Sequence, residues 1–192
     1  MNNIKLSLVA VTLALSLNTA ASAATMSRDE YTSSKDSIAK QYSSDKSACD
    51  AMAGNAKDVC LAEAKGRDKV ARAELEARYK PSAKNDRDAR IAKADADYDV
   101  AKEKCDDAAG NTKDVCVKEA KAAHVAAKEN AKVAEKTADA NKAARSKTAE
   151  ARKDANEEKR DADYAVAREK CDAMAGDAKS NCLADAKARY GK

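Results

Sequence analysis

Tryptophan and phenylalanine are absent, and proline and histidine occur once each. From Ala24 to Lys192, 169 residues, leucine, isoleucine and valine together number 13. Alanine supplies 47 residues, so the 44% hydrophobic content is mostly methyl groups. So little bulky apolar matter excludes folds with buried strands and a rigid pocket, and with them most enzymes. The five glycines are scattered singly, which leaves no glycine-rich phosphate loop. Charge of one sign is missing too: 37 Lys and Arg face 33 Asp and Glu, a net +4. Acids interleaved with bases displace few counterions, so a nucleic-acid partner is not expected.

What the chain has is export, cysteine and repetition. Lys5, the apolar run Leu6–Leu17 and the small residues Ala21-Ser22-Ala23 read as a cleavable signal peptide ending at Ala23. The run is short of the roughly twenty residues that span a bilayer, so no stable membrane insertion is expected after its removal. The expected location is the periplasm or the exterior, an oxidising setting for six cysteines.

The stretch CDAMAGNAKDVCLAEAK at 49–65 recurs at 105–121 with 12 of 17 positions identical, and at 171–187 with 13 of 17. Each copy has a tyrosine seven residues before its first cysteine: Tyr42, Tyr98 and Tyr164. Two cysteines eleven residues apart on one unbroken helix would sit about 16.5 Å apart along the axis. No disulfide spans that distance. A turn at Gly54, Gly110 and Gly176 brings them to matching heights on opposite arms. The spacing therefore predicts Cys49–Cys60, Cys105–Cys116 and Cys171–Cys182, one of fifteen pairings, each contributing about 2–3 kcal/mol. The glycines suit a left-handed helix end. Asn55, Asn111 and Asp177 suit the N-cap of the returning helix, with Asp58 or Asp114 completing a box-like cap.

Ser27-Arg28-Asp29-Glu30 predicts a capped helix over 28–53, with an apolar stripe through Tyr31, Ile38, Tyr42, Cys49 and Met52. A return helix over 56–79 carries Cys60, Ala64, Ala71, Leu75 and Tyr79. Pro81 breaks the chain, Ser82 caps anew, and a third helix runs to Ala109 past Ile91, Ala94, Tyr98, Ala101, Cys105 and Ala108. From Thr112 to Ala175 neither glycine nor proline interrupts 64 residues. A continuous helix there would be about 96 Å long, with Ala120, Ala123, Ala127, Ala134 and Ala138 as a small-residue seam. Asp139–Arg160 holds no large apolar residue, so it reads as an exposed helix rather than a frayed linker, kinked if anywhere at Asn141 or Ser146. A last short helix should end at Gly191.

Chemistry-bearing constellations are scarce. His124 has no nucleophile or orienting partner in sight and reads as an exposed helical histidine. The ten-residue gap between cysteines is not the C-x₂₋₄-C of zinc sites, and no C-x-x-C exists. No catalytic residue, metal or cofactor is assigned, and the three tyrosines are expected to pack on their partner helices.

The fold class is all-α: three disulfide-pinned αα-hairpins joined by long polar, partly coiled-coil-like helices. Its organisation is signal peptide 1–23, first hairpin 24–80, second hairpin 81–138, polar helical linker 139–160 and short third hairpin 161–192. The Ala/Lys/Glu/Asp composition of Lys118–Arg168, with the leader, resembles exported bacterial helical proteins of the TolA-like, cell-envelope-biogenesis-like kind. That resemblance implies a long periplasmic helix and an envelope role. The cleavable leader departs from the anchored TolA pattern, and no counterpart of the TolA C-terminal domain is visible. The expected function is a non-enzymatic structural or interaction protein of the envelope, its partners envelope proteins or further copies of itself. The same composition also resembles late-embryogenesis-abundant stress protectants, which stay largely disordered until dried or bound.

Overall fold

The computed structural model describes residues 26–192; the signal-peptide expectation lies outside the described residues. Five α-helices follow one another: α1 (Arg28–Cys49), α2 (Gly54–Tyr79), α3 (Ala83–Cys105), α4 (Gly110–Asp172) and α5 (Gly176–Tyr190). No strand occurs among the described residues. None of their helices is long and apolar enough to cross a membrane.

The local signals act as their chemistry dictates at α1 and α3. The Ser27 hydroxyl accepts from the Glu30 N–H at 3.2 Å, and the Glu30 carboxylate accepts from the Ser27 N–H at 2.8 Å. Those bonds hold the Glu30 pKa below its ordinary value, the backbone N–H of Ser27 being the larger cause. Beyond Pro81, Ser82 caps α3 by accepting from the Asn85 N–H at 3.1 Å. Gly191, at a φ of +69°, ends α5.

Helices α1 and α3 are shorter than their sequence pattern suggests. They stop at Cys49 and Cys105 rather than at residues 53 and 109, because a tight turn intervenes before the glycine. Met52 therefore stands exposed in that turn instead of continuing the α1 stripe.

Each helix packs only against its neighbours in the chain: α1 on α2, α2 on α3, α3 on α4, α4 on α5. Helices α1, α2, α3 and the first part of α4 thus form a single antiparallel layer, not a bundle. The core is correspondingly thin. Leu75 is fully buried, with Ala64, Ala94, Ala96, Ala131, Ala186 and one cysteine of each pair. A buried leucine is worth about 1.5–3 kcal/mol and a methyl under about 1 kcal/mol. Helices α2 and α3 approach most closely at Gly66, where an added Cβ would lie 2.9 Å from that of Ala96. The seam foreseen on α4 is only partly covered. Ala120 and Ala134 are half-buried, Ala123, Ala127 and Ala138 are exposed, and the buried position is Ala131.

Helix α4 runs unbroken for 63 residues, about 95 Å at 1.5 Å per residue. It crosses Asn141 and Ser146 as helix, and every residue from 139 to 160 is exposed.

Candidate functional site

The three copies of the repeat fold into one construction. Disulfides join Cys49–Cys60, Cys105–Cys116 and Cys171–Cys182 with Cα separations of 5.6, 5.7 and 5.7 Å. After each first cysteine the chain turns at once. The N–H of Met52, Ala108 and Met174 donates to the carbonyl of Cys49, Cys105 and Cys171 at 3.0, 3.1 and 3.0 Å.

Gly54, Gly110 and Gly176 take φ values of +58°, +56° and +60°, which side-chain-bearing residues rarely adopt. They do not end the first helix of each hairpin, however; they open the second. Ala53, Ala109 and Ala175 occupy the N-cap in extended conformation, and none supplies a side-chain cap. Asn55, Asn111 and Asp177 therefore lie inside the first turn rather than at the cap, and Asp58 and Asp114 complete no box. The Asn55 Nδ2 is buried without an acceptor among the described residues.

A bridge that sequence reasoning missed closes every hairpin. Lys57 pairs with Asp50 at 3.2 Å, Lys113 with Asp106 at 2.9 Å and Lys179 with Asp172 at 2.8 Å. The bond to Lys179 holds the Asp172 carboxyl below its usual value, and the bond to Asp106 raises the Lys113 ammonium. The signal was present: the aspartate after the first cysteine and the lysine three residues after the glycine recur in all three copies.

Behind the turns, the tyrosines meet the opposite arm. Tyr98 stacks on His124 of α4 with centroids 4.8 Å apart, and Tyr164 tilts against Tyr190 of α5 at 6.3 Å. Tyr42 lies half-buried in a groove with Arg67, Asp68 and Ala71 of α2. His124 is not the free histidine expected. Its Nε2 stands 2.5 Å from the Asp95 carboxylate, and Lys128 approaches the same oxygen at 3.5 Å. Burial raises the Asp95 pKa, but the His124 bond and the Lys128 charge outweigh it and hold the group below its usual value. The partner was hidden because Asp95 and His124 are 29 residues apart on different helices.

The largest concavity is an open trough of about 700 Å³ between α2 and α3. Val70, Ala71, Ala96 and Val100 lie along it, and Glu63, Arg67, Lys93 and Lys104 are among its charged residues. Lys104 reaches across to Glu63 at 3.4 Å. Among the described residues no group of three or more His, Cys, Asp or Glu is placed to hold a metal ion. The features that stand out are therefore surfaces and clamps: three pinned turns, one open layer and one bare helical stretch.

Compared with protein-family models, with curated proteins and with solved structures, the chain matches none.

Proposed function

We propose that the chain is a non-enzymatic, exported helical spacer and interaction protein of the cell envelope. The observation that carries this reading is α4: one helix of 63 residues with a disulfide-pinned hairpin at each end and bare exposed helix over 139–160. Such a build holds two surfaces apart, and its covalent clamps suit an oxidising compartment. The compositional resemblance to the long periplasmic helix of TolA points the same way, as does the leader.

Small-angle scattering and circular dichroism of the dilute mature chain test it together. The expected result is a rod with a longest dimension of about 95 Å or more, strongly helical in plain buffer, losing helix on reduction. A compact particle overturns the spacer reading.

The second reading, a hydrophilic stress protectant, draws on the 139–160 segment. A helix of that length with no tertiary cover is marginal in water. It predicts little helix in buffer, oxidised or reduced, and a gain on drying. Cell fractionation that finds the chain in the cytosol removes the envelope role from either reading.

A further inference from the structure

The side of α4 away from the rest of the chain is left apolar. Among the described residues the large apolar side chains that stay exposed are Met52 and Met174, in hairpin turns, and Val115, Val125, Val133 and Val166, all on α4. His124 and Glu135 mark the side of α4 that meets α3. At 100° per residue, Val133 stands about 160–180° from both. Val166 likewise stands about 160° from Tyr164, which meets α5.

Between these valines the back face reads Val133, Ala140, Ala144, Ala151, Ala155 and Ala162, all exposed, at intervals of 7, 4, 7, 4 and 7. Eleven residues make three turns with about 20° to spare, so the stripe holds one side of the helix and favours a right-handed supercoil. The series of intervals is the same in both directions.

That symmetry names the occupant. A second copy laid antiparallel, its twofold axis between Lys147 and Thr148, sets Val133 opposite Ala162, Ala140 opposite Ala155 and Ala144 opposite Ala151, each pair occurring twice. In an antiparallel pair each flank of the stripe faces the same flank of its partner. One flank carries Lys136, Lys147 and Glu158, eleven residues apart. The register puts Lys136 beside Glu158 of the second copy, again twice, while Lys147 meets its own counterpart. Two attractive contacts thus stand against one like-charge contact at the axis. Small residues let the two backbones approach, and pairing covers a helical stretch that has no other tertiary support.

We propose that a second copy of this chain docks antiparallel on the back of α4, between Val133 and Val166. This rests on the spacer reading for the helix itself. Scattering at low concentration tests the rod, whereas the following experiment tests only the pairing.

Sedimentation velocity of the full oxidised chain over a concentration series should show a monomer–dimer equilibrium. Zero-length carbodiimide crosslinking should join Lys136 to Glu158. Within one chain these lie about 33 Å apart along the helix, so that link forms only between copies. The double variant A144E/A151E sets glutamates face to face and should weaken pairing about tenfold or more, with circular dichroism unchanged. A144E/A151K sets glutamate against lysine and should restore it. A monomer at every concentration overturns the proposal, as do crosslinks in any other register or equal weakening by both double variants.

Discussion

The α1–α2 and α3–α4 hairpins share one register and differ in what locks it. Tyr31 lies 18 residues before Cys49 and Tyr79 lies 19 after Cys60; Arg87 and Glu135 hold the same places around Cys105 and Cys116. In the first hairpin the two rings stack with centroids 4.2 Å apart, and the Tyr31 hydroxyl donates to Glu76 at 2.8 Å. In the second, Arg87 Nη1 reaches both Glu135 oxygens at 2.7 and 3.0 Å. Nearer the disulfide the roles reverse. Tyr42 and Asp68 sit where the second hairpin stacks Tyr98 on His124. The backbone geometry therefore belongs to the pinned turn, and the arms accept either an aromatic or an ionic clasp at the same height. What differs is the response to conditions, because stacking is nearly indifferent to salt and ion pairs are not.

The pins themselves are the largest test. Replacing Cys171 and Cys182 by serine should detach α5 altogether, since α5 touches no helix but α4. Amide exchange should show protection lost across α5. The same change at Cys105 and Cys116 should cost about 2–3 kcal/mol in a melt but leave α4 seated on α3. Equal effects at the two sites would mean that the layer contributes no hold of its own. Next in size, Tyr79→Ala should cost about 1–2 kcal/mol by removing the stack, with a loss that salt leaves unchanged.

How much of this was legible in the sequence follows from how local each feature is. The disulfide pairs were readable because eleven residues allow only a hairpin, and the Ser27 and Ser82 caps because capping needs three residues. The turn was misread: Gly-Asn matches a helix end followed by a cap, yet the turn is closed by the carbonyl of Cys49, which leaves the glycine to open the next helix. The His124–Asp95 pair and the Arg87–Glu135 clasp were invisible, since charged residues fill both helices and only the hairpin register selects partners. The single layer was equally hidden. Stripes of alanine show which side of a helix can be approached but not whether a third helix comes to cover it.

The ionic clasp and the Asp95 cluster give the smaller effects that sharpen the comparison. Arg87→Met keeps the aliphatic stem over α4 and removes the pairing, so it should lower the melting temperature less than Tyr79→Ala does. The deficit should shrink as salt is raised from low to about 1 M, where the screening length falls to about 3 Å. A salt-independent deficit would mean that packing of the stem, not charge, closes the second hairpin.

The tyrosine and aspartate titrations divide the hairpins from opposite ends of the pH scale. The Glu76 carboxylate, accepting its hydrogen bond, raises the Tyr31 phenol above its ordinary value. A group raised on folding contributes stability below its unfolded pKa, near 10, and loses it as pH climbs through the folded one. Tyr31 should therefore be the last of the six phenols to ionise in a titration followed by tyrosinate absorbance, and Tyr31→Phe should remove that last step. Asp95 works the other way. Its depressed pKa contributes stability above the unfolded value, near 3.9, and that stability disappears as pH falls through the folded one. Asp95→Asn should lower the melting temperature of the second hairpin at neutral pH. The gap from the parent chain should close in acid below about pH 4, because protonation then removes from the parent what the substitution removed from the variant. A gap that persists in strong acid would assign Asp95 a packing role and leave His124 held by its stack on Tyr98 alone.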